Sequence, residues 1–157
     1  MSDKRKSYIS WDEYFMDLAN AAAKRATSDR GRSGCVIVKD KQVLVTGYVG
    51  APKGLPHCDD VGHLFKQMIN EDGSVSNHCM RTVHAEQNAL LNCSRQQTIG
   101  ADLYLVGVNP KDNTVHKAKP CPVCARLIMQ AGIRNVYLRV GDGPDNYEVV
   151  PATELEW

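Results

Sequence analysis

The sequence is short of what several protein classes require. Only two of its 157 residues are Phe and two are Trp, and aromatics make up 6% of the chain. No basic, aromatic-interleaved stretch of the kind that stacks on single-stranded nucleic acid is visible. Net charge is almost absent, since 19 Lys and Arg against 18 Asp and Glu leave +1. That balance excludes a long-range field directed at nucleic acid or a membrane surface. The Lys4-Arg5-Lys6 run is too short to mean more than a solvated terminus. No apolar run approaches the roughly 20 residues of a membrane span, and the first residues have no signal-peptide apolar region. Internal repeats, low-complexity segments and heptads are lacking too. What is left is an ordinary soluble composition, 43% hydrophobic and 24% charged, at a length that buries a core without staples. The expectation is one cytoplasmic domain over 1–157. Without a secretion signal, the six cysteines point to metal ligation or free thiols before disulfides.

Two short stretches carry the chemistry: His84-Ala85-Glu86 and Pro120-Cys121-Pro122-Val123-Cys124. One imidazole and two thiolates match the softness of Zn²⁺, and three protein ligands leave a fourth tetrahedral position for water. Zinc lowers the pKa of a bound water from 15.7 to about 7. Glu86 is not needed as a ligand, and its carboxylate can carry protons between that water and a substrate nitrogen. Helical spacing predicts a helix over Val83 to Cys93 with His84 and Glu86 in its first turn. A second helix over Cys121 to Ala131 would place Cys121 and Cys124 on one face, with Pro120 and Pro122 at its start and Gly132 as its cap. Both motifs then sit at helix N-termini, where the dipole favours thiolate. A closed structural zinc site or a redox Cys-x-x-Cys would use the same cysteines. Neither requires the Glu.

Along the rest of the chain, Ser10-Trp11-Asp12-Glu13 reads as a capping box, with Glu13 returning to the cap of a helix that runs to about Ala26. Cys35 to Val38 and Val43 to Tyr48 read as a hairpin turning at Lys39-Asp40-Lys41-Gln42, with Cys35 as a small core residue. Gly50 to Asn77 is a long irregular insertion with a short helix near Val61 to Ile69, the kind of loop that is functional or tied down. Cys58, His63, His78 and Cys79 bracket it as a candidate second metal site, with Cys58 and His63 on a short helical face. Scattered surface residues and a buried thiol are the alternative. Leu103 to Val108 and Asn135 to Val140 are predicted strands, with Glu148 to Val150 at an edge and a turn-rich excursion over Asn109 to Lys119. Strands joined by helical crossovers imply a sheet covered by helices on both faces.

Three stretches together resemble the deoxycytidylate (dCMP) deaminase branch of the cytidine deaminase superfamily: 10–16, the Gly47-Tyr48-Val49-Gly50 loop through Gly54, and the two zinc motifs with 128–133. The ordered H-x-E…P-C-x-x-C pattern is the signature of zinc deaminases. The resemblance implies a three-layer α/β/α sandwich around a five-stranded mixed sheet, and hydrolysis of dCMP to dUMP and ammonia, supplying dUMP for thymidylate synthesis. In it, Glu86 carries protons to N3 and to the leaving nitrogen, and the backbone at His84, Ala85 and Lys119 holds the base. It also implies a homo-hexamer with dCTP and dTTP as effectors near Tyr48, Gly50 and Arg95, and a second zinc near Cys58 and His78-Cys79. Two features depart from the family pattern. Val49 stands where a polar Asn is expected, and the Asn109 to Lys119 excursion is long, so a deaminase of another base or nucleotide is an alternative. A non-catalytic zinc-containing nucleotide-binding subunit is another. A phosphate needs a cation, for which Arg25, Arg30, Arg32, Arg81 and Arg95 are candidates, Arg30 and Arg32 foremost.

Overall fold

The computed structural model describes residues 7–29 and 31–155; Arg30 and the Lys4-Arg5-Lys6 run lie outside the described residues. Helix α1 (Trp11–Lys24) starts at Ser10, whose Oγ accepts from the Glu13 N–H at 3.2 Å. The expected return of Glu13 to the cap does not occur. Its carboxylate instead accepts from Arg139 Nη1 at 2.9 Å and from the Asp145 N–H, two charge-assisted bonds that outbid a cap exposed to water. Helix α1 is thereby tied to the end of β7 and the turn that follows it.

Strands β1 (Arg32–Lys39) and β2 (Gln42–Tyr48) form the predicted hairpin. Its tight turn has Asp40 and Lys41 at φ 52° and 63°, the left-handed pair that matches strand twist. The insertion is more ordered than its sequence suggests. It holds a one-turn helix α2 (Cys58–Val61) and an antiparallel hairpin, β3 (Phe65–Ile69) with β4 (Val75–Cys79). The predicted helix near Val61 to Ile69 is therefore replaced by strand. Gly62, at φ 86°, ends the helical turn, and the 70–74 turn closes with Asn70 N–H to Ser74 O at 2.8 Å. Main-chain pairing within the hairpin won over the weak apolar spacing on which the helix rested.

Helix α3 (Ala85–Leu91) and the short α4 (Arg95–Thr98) follow, then β5 (Asp102–Val108). The excursion folds back on β5 as β6 (Val115–His116), and α5 (Pro122–Gln130) crosses to β7 (Asn135–Arg139). Strand β8 (Tyr147–Pro151) takes the predicted edge, followed by a 3₁₀ turn at Ala152–Glu154. The main sheet runs β2-β1-β5-β7-β8, with β6 beside β5. Among the described residues only β5 and β7 pair in parallel, as the α5 crossover requires, so the sheet is mixed.

Strand alternation sorts the core into two layers. Val36, Val38, Tyr104, Val106 and Val108 pack under α1 against Phe15, Met16, Ala19 and Ala23. Cys35, Ile37, Leu103, Leu105, Val136 and Leu138 face α3 and α5 through Ala85, Ala89, Ala125 and Ile128. Each buried Val, Leu or Ile contributes about 1.5–3 kcal/mol. The small alanines let both helices lie close to the sheet, and this sets their N-termini side by side. Among the described residues no helix is long and apolar enough to cross a membrane.

Candidate active site

His84 and Cys121 occupy equivalent places as the N-cap residues of α3 and α5, both with extended backbone (ψ 155° and 163°). Each motif side chain therefore projects from a helix start. The Gln87 side chain accepts from the His84 N–H at 3.0 Å, and Cys121 Sγ accepts from the Cys124 N–H at 3.4 Å. His84 Nδ1 lies 3.3 Å from Cys124 Sγ and 3.5 Å from Cys121 Sγ. Bond lengths of about 2.0–2.3 Å at tetrahedral angles place neighbouring N and S ligands about 3.5 Å apart, so the trio fits zinc. The two thiols share one favoured thiolate. Cys121 is pulled down to about 4 by Cys124 and His84 acting as donors, while Cys124, bonded to Cys121 and buried, is pushed up.

Glu86, in the first turn of α3, is only 4% exposed. Burial raises its carboxyl above the usual range, partly offset by a backbone N–H and by the neighbouring His84. Its carboxylate lines a cleft of about 650 Å³ together with His84 and Cys121. Val49, Leu105 and Ala118 give that cleft apolar surface, and Ser33, Asn70, Ser76, Asn77, His78 and Thr82 give it polar groups. His116, Lys117 and Lys119 bring basic groups, and among the described residues lining it Glu86 is the one acid. Val49 and Lys119 both line the cleft, and Ala85, the first residue of α3, is fully buried.

The arginines are placed differently. Arg32 binds Asp59 and the Ser28 carbonyl, both at 3.2 Å. Arg81 donates to Gly62 O at 3.0 Å, Arg95 to Gln130 O, and the Arg25 guanidinium lies 5.6 Å from the Tyr48 ring centre. None of these four lines the cleft; each is spent on a backbone carbonyl, an acid or a ring where its element is anchored. Tyr48 and Gly50 clamp the entry to α3: Asn88 Nδ2 donates to Tyr48 O at 2.8 Å, and Gly50 exchanges backbone bonds with Val83. Arg95 borders a separate apolar groove of about 410 Å³ between α3 and α5, with Leu90, Leu91 and Leu127.

A second trio forms at the base of the β3–β4 hairpin. Cys79 Sγ lies 3.5 Å from Cys58 Sγ and 3.4 Å from His63 Nδ1. His63 Nε2 meets Asp29 Oδ1 at 2.5 Å, the arrangement by which a carboxylate orients a metal-binding imidazole. His78 is not with them. Its Nε2 pairs with Ser76 Oγ at 3.0 Å, and both His78 and Cys79 line the cleft. Sequence reading missed Asp29, whose partner lies 34 residues away, and His116, which no spacing rule marks.

A mixed sheet with helices on both faces, and a His-Cys-Cys centre beside a buried carboxylate, define a zinc-dependent hydrolase of the nucleobase deaminase class. Residues 9–140 match the family of the cytidine and deoxycytidylate deaminase zinc-binding region, and the chain belongs to that family. It is 39% identical to the deoxycytidylate deaminase of Mycobacterium phage D29 over 129 residues, covering 80% of this chain and 91% of that one. It is 38% identical to ComE operon protein 2 of Bacillus subtilis over 131 residues, 82% of this chain and 59% of that longer protein. The dCMP deaminase of cyanophage S-TIM5 superposes with a TM-score of 0.56 in apo form, at 26% identity over 82% of each chain. Its complex with dCMP and dUMP gives 0.54 at 28% identity, over 79% of this chain and 76% of that one.

Proposed function

We propose that the chain hydrolyses dCMP to dUMP and ammonia. The observation that carries this is Glu86, a carboxylate 4% exposed on the wall of the cleft that His84 and Cys121 also line. A structural zinc site has no use for a buried acid there. His84, Cys121 and Cys124 would hold zinc, which supplies a water acidic enough to ionise near neutral pH. Glu86 takes one proton from the attacking water and gives it to N3. It then takes the second from the hydroxyl now on C4 and delivers it to the amino group, which leaves as ammonia as the C4 carbonyl forms. Burial suits Glu86 to this exchange because a raised pKa brings the group nearer the working pH. Val49, Leu105 and Ala118 offer apolar contact to the base, with the backbone at Ala85 and Lys119 at its edge. The phage relatives named for dCMP support the monophosphate, and so do the basic groups of the cleft.

Cys58, His63 and Cys79 would hold a second zinc of structural kind, with Asp29 fixing His63 from behind. The chain acts on a small nucleotide, in the cytoplasm, and its dUMP would feed thymidylate synthesis. A homo-oligomer, hexameric by family resemblance, and dCTP and dTTP as effectors near Tyr48, Gly50 and Arg95 complete the proposal. The test is ammonia release from dCMP, dCTP, CMP, deoxycytidine, cytosine, dAMP and dGMP, each with and without dCTP. Turnover centred on dCMP supports the reading. Silence on dCMP with turnover of another substrate overturns it, and would make Val49 and the excursion the cause.

A further inference from the structure

The cleft discriminates among substrates through groups that its zinc motifs do not supply, and one of these is built with unusual care. Leu105 and Gly107 project to the same face of β5, since side chains two apart on a strand share a side. Leu105 lines the cleft alongside His84 and Glu86. Gly107 pairs with His116 across the β5–β6 turn. A Cβ at Gly107 would stand 2.5 Å from His116 Cε1, 3.0 Å from Nε2 and 3.1 Å from Nδ1. The imidazole therefore fills the space that any side chain at 107 would take. Its Nδ1 lies 3.2 Å from the Lys117 carbonyl oxygen, which can only accept, so Nδ1 carries a proton and Nε2 is the nitrogen left to a ligand.

The ring's surroundings name the ligand's charge. His116, Lys117 and Lys119 line the cleft along one segment, and Lys117 is steadied by Glu148 at 3.3 Å. His116 lies against Gly107, one strand repeat of about 7 Å along β5 from the apolar Leu105. The four described arginines that might have served an anion are engaged away from the cleft. We infer that His116 is a specificity-determining residue that contacts the substrate phosphate through Nε2, so that the β5–β6 hairpin separates nucleotide from nucleoside. The contact takes an N–H at each ring nitrogen, Nδ1 to Lys117 O and Nε2 to a phosphate oxygen. The inference rests on the deaminase reading above and goes beyond it by assigning the phosphate to the excursion.

The test is steady-state ammonia release by the zinc-loaded protein from dCMP and from deoxycytidine, which differ only in the phosphate. In His116→Ala the ratio of kcat/KM for dCMP over deoxycytidine should fall about tenfold or more, with KM for dCMP bearing the loss, the size expected for one hydrogen bond to a charged group. Gly107→Ala keeps the imidazole but displaces it, and should lower the ratio in the same direction. His116→Lys restores a cation and should recover much of it. A ratio within twofold of wild type in zinc-loaded His116→Ala or Gly107→Ala overturns the inference, as does an equal loss on both substrates. Should His116→Ala not fold, His116→Gln is read by the same ratio. If the wild type releases no ammonia from dCMP, the deaminase reading itself falls and the inference falls with it.

Discussion

The two His-Cys-Cys trios are chemically alike and differently furnished. In each, one thiolate is favoured over its neighbour: Cys121 is drawn down to about 4 while Cys124 rises. Likewise Cys79 settles at about 6, burial there being outweighed by the N–H groups of Arg81 and Leu64 and by His63, while burial pushes Cys58 up to about 11. The sulfur and nitrogen spacings are similar too, 3.3–3.5 Å. What differs is where the carboxylate stands. Glu86 lies buried on the cleft wall with His84 and Cys121, able to meet a substrate. Asp29 lies behind His63, on the ring nitrogen that faces away from Cys79. A carboxylate beside the metal's open side serves chemistry, and one behind a ligand serves geometry. The trios are only five positions apart in sequence, from Cys79 to His84, so one short strap joins a proposed structural centre to a catalytic one.

The comparison breaks most sharply at the catalytic trio. Cys124→Ala should abolish turnover and remove one zinc equivalent by metal analysis while the other remains. Loss of both, or of neither, would mean that the trios are not independent centres. Glu86→Gln should keep both zincs and lower kcat by about 10²–10⁴-fold, the usual weight of a general acid–base group. Activity within tenfold of wild type would deny Glu86 the proton transfers assigned to it.

At the other trio the same operation should read out differently. Cys58→Ser should drop the zinc content from two to one and lower Tm, with kcat for dCMP held within severalfold. Its KM should rise, because Cys79 belongs to β4, whose Ser76, Asn77 and His78 line the cleft. One zinc in the wild type would remove the second centre altogether.

What the sequence disclosed and what it hid follow from how local each feature is. His84-Ala85-Glu86 and Pro120-Cys121-Pro122-Val123-Cys124 each span about one helical turn, so spacing alone put His84 and Glu86 at one helix start and Cys121 and Cys124 on one face of another. The hairpin at Asp40-Lys41, the strands at 103–108 and 135–140 and the edge at 148–150 were legible because apolar alternation and turn residues are also local. The β3–β4 hairpin was not, since Phe65 to Ile69 carries all five residues exposed and has no buried face to print a period of two. Glu13 was read as a cap residue because its partner, Arg139, lies 126 positions away. For the same reason the arginines of the loops looked available for a phosphate, when tertiary contacts had already engaged Arg32 with Asp59 and Arg81 with Gly62. His116 gave no signal, because its meaning depends on the missing side chain of Gly107 across the turn.

The smallest and most selective change falls on Asp29. Its carboxylate meets His63 Nε2, and Cys79 and Asp29 on the two ring nitrogens together raise the His63 pKa. Under the structural-zinc proposal, Asp29 holds the Nε2 proton in place so that Nδ1 presents its lone pair to the metal. Asp29→Asn keeps the size and a carbonyl acceptor but loses the charge, and Asp29→Ala loses both. Removing such a partner typically costs about 10–100-fold in metal affinity. Competition with a chromogenic chelator should therefore show one of two zincs released at lower chelator in Asp29→Ala, less so in Asp29→Asn, with the catalytic zinc and dCMP turnover at saturation retained. An Asp29→Ala protein that holds both zincs as tightly as wild type would reduce Asp29 to an exposed ion pair, and such pairs are worth little. The contrast drawn between the two carboxylates would then hold on the Glu86 side alone.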